Sequence, residues 1–143
     1  MAITSAICNS FKTEVLTAVH DFTASSGNTF NLALYTSSAT INKSTTAYAD
    51  TNEISGTGYT AKGKALTSVT PVLDSDTAVC DFANVSWTSS SFTANGCLIF
   101  NEDASGDPAV CTIAFGGDKT VTSGTFTIEF PAAAASTAII QLA

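Results

Sequence analysis

The chain has no arginine, and its five cations are Lys12, Lys43, Lys62, Lys64 and Lys119. Nucleic-acid recognition draws on clustered cations, above all on arginine forks that grip phosphate and guanine. With a formal net charge of -7 at pH 7, neither nucleic acid nor an anionic membrane surface is an expected partner. Histidine occurs once, at His20, and no two of the cysteines Cys8, Cys80, Cys97 and Cys111 stand in a C-x-x-C. Zinc needs His and Cys pairs at short spacing, so no metal site is expected. No apolar run approaches the roughly 18 residues of a membrane-spanning helix. The opening segment MAITSAICNSFK lacks a cationic start and an unbroken apolar stretch, so no targeting segment is expected.

Charge of either sign is scarce. Only 12% of the 143 residues are charged while 45% are hydrophobic, against about 25% charged in an ordinary soluble domain. Thr, Ser, Asn and Gly make up the polar share. Thr favours strands and the other three favour turns, which points to a β-rich, nearly neutral surface. The cysteines lie among Val, Leu, Ile and Phe, so they read as buried free thiols, with a disulfide between two strands as the alternative. There is no composition break and no linker, so residues 1–143 read as a single domain.

One helix is expected over about residues 10–20. Asn9 or Ser10 can cap it, Glu14 lies near its positive end, and Phe11, Val15, Val19 and Phe22 share one face. The apolar period then switches to two, with strands expected from about residue 28 onward. NTFNLALYT puts Phe30, Leu32 and Leu34 on one face, and TAVCDFANVSW sets Ala78, Cys80 and Phe82 against Val79 and Asp81. GTFTIEF turns Phe126, Ile128 and Phe130 inward and Thr125, Thr127 and Glu129 outward. SSGN, SGTG, DSDT, EDASGDP, FGGDK and TSG read as turns, and NKSTTAYADTN as a loop or short helix. The fold class expected is mainly β, an antiparallel sandwich or barrel-like domain with one N-terminal helix.

Three motifs invite a chemical reading. Residues 58–65, GYTAKGKA, come one residue short of a phosphate-binding loop. That loop needs a buried strand before it and a helix after it. Here TNEISGT before it is polar, and ALTSVTPVL after it alternates and contains Pro71. Ala65 also replaces the hydroxyl that binds magnesium. A glycine turn is the better reading, with Gly56, Gly58 and Gly63 taking positive φ and Lys62 and Lys64 solvated or facing an acidic partner. Residues 101–107, NEDASGD, resemble half a calcium loop, but position twelve is Thr112 where a bidentate glutamate is required, so a hairpin loop is expected. His20 sits beside Asp21 at the expected helix end and reads as a polar cap, and no Ser stands in G-x-S-x-G. Asp81 and Glu129 fall on polar strand faces, with solvent as the expected neighbour. Tyr48, Tyr59 and Trp87 could stack on sugar rings, although Trp87 fits a core or interface position better. No catalytic, cofactor-binding or metal-binding residue is assigned, and no enzyme activity is expected.

Five segments, SFKTEVLTAVHDF, NTFNLALYTSSATINKSTTAY, TNEISGTGYTAKGKAL, DFANVSWTSSSFTANGCLIFN and FGGDKTVTSGTFTIEFP, together resemble a family of small virion proteins of tailed bacteriophages, including phages of cyanobacteria and marine bacteria. The resemblance runs over nearly the whole chain in order. Lys62 departs from it, since the family pattern favours glycine there. The resemblance implies a β-rich structural component without catalytic residues or cofactor, foremost a capsid cement or decoration protein. Its implied partners are the major capsid protein and copies of itself. Its implied location is the capsid surface, after a period in the host cytoplasm during assembly. The alternative is a tail- or fibre-associated subunit that contacts the host surface.

Overall fold

The computed structural model describes residues 2–143. It is mainly β, with 49% of residues in strands and 6% in one helix. In chain order the elements are β1 (Ala6–Ile7), α1 (Asn9–Leu16), β2 (Phe30–Tyr35), β3 (Lys64–Ala65), β4 (Ser68–Asp74), β5 (Thr77–Phe82), β6 (Val85–Asn101), β7 (Ala109–Ile128) and β8 (Ile140–Leu142). Two antiparallel sheets form a sandwich-like body. One has the order β1-β7-β6-β2-β3 and the other β4-β5-β8. Among the described residues no helix is long and apolar enough to cross a membrane.

The core forms where apolar runs are covered on both faces. Strand β2 lies between β6 and β3, and every residue in it except Asn31 is buried. Leu32 and Leu34 face one way, Ala33 and Tyr35 the other, and all sit at 0–1% exposure. Leu98, Ile99 and Phe100 lie opposite them on β6, and Val110 and Cys111 beyond on β7. Each large apolar side chain of this set stabilises the fold by about 2 kcal/mol. Phe22 stacks on Phe30 at 4.3 Å, and Phe82 meets both rings at 6.2 and 5.8 Å. That aromatic cluster joins the small sheet to the large one. Pro71 is accommodated because β4 is an edge strand, where a missing ladder donor costs little.

The structure corrects the expected helix of residues 10–20. The helix spans Asn9–Leu16, and its cap, Cys8, makes no side-chain capping bond, its thiol donating instead to Asn42 O at 3.9 Å. The Thr17 hydroxyl donates back to the carbonyls of Thr13 and Glu14, and the Val19 amide donates to Glu14 O. Ala18 then takes the left-handed conformation, φ 61, which closes a helix C-terminus. Val19 and Phe22 therefore leave the helical face, and Phe22 enters the core from a loop. Strands also begin earlier than residue 28, because β1 precedes the helix and pairs with β7 through Ala6 and Ile7.

FGGDK is not a turn between two strands. It lies within the continuous β7, at a bulge where Asn95 alone faces residues 115–118. Gly116 and Gly117 take φ 74 and 147 there, and the Asn95 side chain donates to Asp118 Oδ1 at 2.8 Å. The result is one long hairpin of β6 and β7. NKSTTAYADTN forms an irregular loop held by the bridges Ala47↔Pro108 and Tyr35↔Glu53.

Asp81 is likewise not solvated. The alternation of β5 is as expected, but the backbone at Ile139, next to the buried Ala138, lies against Asp81, and Val79 and Asp81 are both 1% exposed. The Ala135 amide donates to Asp74 Oδ2, which anchors the segment before Ile139. Glu129, just beyond the end of β7, is exposed, as expected.

Candidate functional site

The two motifs that most resemble ligand loops face each other and bind each other. Residues 56–66 form a turn leading into β3, with Gly56, Gly58 and Gly63 at φ 157, 79 and 70. Gly63 packs on the backbone of β2, where a Cβ would stand 1.8 Å from Leu32 O, so only glycine fits. Lys62 also takes positive φ, 70, a conformation that glycine adopts without strain. Its ammonium donates to Glu102 Oε1 at 3.0 Å and Asp107 Oδ2 at 2.9 Å. Lys62 is therefore neither free in solvent nor open to an acidic partner: it holds down the β6–β7 connection at residues 102–108. These carboxylates raise its pKa, by hydrogen bonding first and charge second. Lys64 extends over the sheet and donates to Ser86 O at 2.5 Å.

The same connection carries the half calcium loop. Asp107 is taken by Lys62, and Asp103 Oδ2 accepts from the Thr29 amide at 2.6 Å. Asn101 is buried, and its Oδ1 accepts from the amides of Asp103 and Ala104. These oxygens are aimed at the protein's own donors. Among the described residues no cluster of His, Cys, Asp and Glu has the geometry of a cation site.

Glu53 is the hub that the sequence does not mark. Tyr48 and Tyr59 donate their hydroxyls to its two oxygens at 2.5 and 2.6 Å, and the Lys62 amide donates at 2.8 Å. The Leu34 amide in turn donates to Tyr59 Oη, which ties the hub to the middle of β2. Burial, then the Glu53 carboxylate, pushes both phenols well above their usual range. The three rings suited to sugar stacking are thus occupied otherwise. Trp87 is 4% exposed against Phe92, Phe126 and Tyr59, and Tyr48 stacks on Phe100 at 4.8 Å. No local pattern around Glu53 announces the hub, because its partners come from a loop without period.

His20 does not cap the helix in solvent. Its side chain is fully buried, with Nε2 2.9 Å from Glu14 Oε2. The Asn101 side-chain amide donates to Nδ1 at 3.1 Å, which leaves Nε2 to donate to Glu14. A Glu-His pair of this kind orients an imidazole in many catalytic sets. Here both ring nitrogens are engaged, and the ring packs against Phe11 at 5.0 Å. The arrangement ties α1 to the β6 end.

All four cysteines are free and buried. Burial pushes the thiols up, to about 11 for Cys8 and about 12 for Cys80, and upward also for Cys97 and Cys111. They remain protonated thiols at neutral pH.

Among the described residues, the clefts open to a ligand or partner include the following three. A polar one of about 530 Å³ is lined by Ser, Thr and Asn side chains of residues 38–52 over Tyr35 and Leu98. An apolar groove of about 480 Å³ lies between α1 and the small sheet, over Val15, Pro71, Ile140 and Leu142. A second apolar groove of about 480 Å³ runs under the outer half of β7, over Phe115, Phe126, Ile128 and Phe130.

Comparison with known proteins adds no neighbour: no family model, curated protein or solved structure matches the chain.

Proposed function

We propose that the chain is a non-enzymatic structural protein of a tailed-bacteriophage virion, acting as a cement or decoration subunit that stabilises the capsid shell. One observation carries the reading. Lys62, Asp107, Glu53 and His20, the side chains of the ligand-like motifs, are engaged within the protein, while several large apolar side chains face outward. Leu16, Val72, Leu73 and Leu142 are 85%, 54%, 73% and 57% exposed, and Phe115, Phe126 and Phe130, packed against the core, keep part of their surface open around β7. A subunit that waits in solution and then buries surface on a lattice needs this division. The low charge and the sequence resemblance support the same reading.

On this reading the partners are the major capsid protein and further copies of the chain, with no nucleic acid, membrane or cofactor. The protein would reside on the capsid surface and pass through the host cytoplasm during assembly. Co-sedimentation with expanded, empty capsids tests it. Saturable binding at one fixed stoichiometry per capsid subunit is expected. Protein that stays in the supernatant, or that labels tails alone, would remove the cement assignment.

A second reading, a tail- or fibre-associated subunit touching the host surface, is favoured by one feature. The polar cleft at residues 38–52 presents hydroxyls and amides suited to a neutral, oxygen-rich ligand such as a glycan. Binding to host cells, lost when Thr40, Thr45 and Asn52 are replaced, would support this reading over the first.

A further inference from the structure

The outer half of the β6–β7 hairpin differs from the apolar groove at α1. Its floor is Phe115, Phe126, Ile128 and Phe130, which pack against the core on one side and leave part of their surface open on the other. Its rim carries one cation and one anion, Lys119 and Glu129, both exposed. Neither makes an ion pair among the described residues. The backbone beside it is open as well. Strand β1 pairs with β7 only through Thr112 and Cys111, and the Ala114 amide is taken by Ser5 Oγ. Residues 119–128 pair with β6 on one side and have no strand on the other among the described residues.

We infer that this groove is the contact surface between two copies of the chain, related by a two-fold axis. The argument is charge complementarity. A two-fold axis makes a surface meet itself, so residue i of one copy meets residue j of the other, and j meets i. A groove rimmed by one lone cation and one lone anion is complementary to itself in this arrangement. Lys119 of each copy meets Glu129 of the other, twice per dimer, while the four apolar side chains of each floor cover one another. An acidic partner would leave Glu129 opposed to like charge, and a basic one would do the same to Lys119. The apolar floor supplies area toward the about 800 Å² per partner of a standard interface. The open edge of β7 offers main-chain donors and acceptors to the same neighbour. The groove at α1 has no such rim: apart from the buried Cys80 thiol, the only ionisable side chains along it are His20, held by Glu14, and Asp21.

The inference is independent of the virion reading. A monomer that binds capsids would sink the dimer and leave the virion proposal standing, and a dimer that ignores capsids would do the reverse.

The test is sedimentation velocity over a hundredfold range of concentration, on wild type, Lys119→Glu, Glu129→Lys and an equimolar mixture of the two variants. Both positions are exposed, so the far-UV spectrum and melting temperature should be unchanged. Wild type should dimerise. Each variant alone sets two like-charge pairs across the axis, and its dissociation constant should rise at least tenfold. The mixture should dimerise again. One copy then carries two rim carboxylates and the other two rim ammoniums, so both contacts across the axis are attractive. A wild type that is monomeric throughout overturns the inference. So does a dimer that both single variants keep, or a mixture that fails to recover association.

Discussion

The long hairpin of β6 and β7 passes through two different environments. In its inner half, Cys97–Asn101 of β6 and Ala109–Thr112 of β7 lie between β2 on one side and β1 on the other, and every residue is buried. In its outer half, beyond the bulge at residues 115–118, β7 loses its second neighbour, and its side chains alternate between half-covered and exposed. The inner strands are nearly continuous apolar runs, CLIFN and AVCT, whereas the outer strands alternate apolar residues with Ser and Thr. The number of neighbours decides whether an apolar side chain becomes core or contact surface. The inner half is core on both strands, while in the outer half Val85, Trp87, Phe92 and Ala94 of β6 are still core and the free edge of β7 remains open to a partner.

The comparison can be broken most severely at Gly63. A methyl group there would stand 1.8 Å from Leu32 O, against the backbone that covers the inner half. Gly63→Ala should therefore destabilise by more than about 4 kcal/mol, read by urea unfolding, whereas Gly116→Ala in the bulge meets no atom within 4 Å and should cost far less. Next comes Glu53→Ala, which strips two tyrosine hydroxyls and the Lys62 amide of their acceptor. A loss of about 3 kcal/mol is expected, and Glu53→Gln should recover part of it.

Asp81 tests the packing at the small sheet. Burial raises its pKa above the ordinary 3.8, with the backbone at Phe82 and Ile139 pulling the other way. A folded-state value above the unfolded one means that the native protein binds the proton more tightly. Asp81 thus detracts from stability increasingly as pH rises from the unfolded value to the raised one, and at neutral pH the full penalty is present. Asp81→Asn should raise the melting temperature at pH 7 and flatten the pH dependence in the acid range. An unchanged profile would mean that the segment at Ile139 does not bury Asp81. The smallest effect is expected for Lys62→Ala, whose pairs with Glu102 and Asp107 are partly solvated. It should loosen the connection at residues 102–108, seen as faster proteolysis there, and salt should mimic it in the wild type.

Much of the architecture is legible because period-two runs, turn glycines and an edge proline act locally. Phe30, Leu32 and Leu34 can be placed on one face, and the glycine turn can be told from a phosphate loop by its neighbours. Local reading fails where a distant segment changes the environment. Asp81 stands on the polar face of its strand, but the backbone at Ile139 lies against it. Lys62 reads as a solvated lysine until residues 102–108 are folded against it, and the helix ends early because Thr17 and Ala18 close it while His20 finds Asn101 across the core. The Glu53 hub has no local signal. The outer half of β7 reads as inward-facing, and its alternation is correct. Sequence pattern alone does not show that no further layer covers it.

Hydrogen exchange, followed residue by residue in dilute and in concentrated protein, tests the division of the hairpin most directly. The inner half should be strongly protected at both concentrations. Residues 115–130 should exchange rapidly when dilute and gain protection when concentrated, with no change at α1 or β4. Protection that is equal in both halves and insensitive to concentration, or that appears at α1 and β4 instead, would contradict the account.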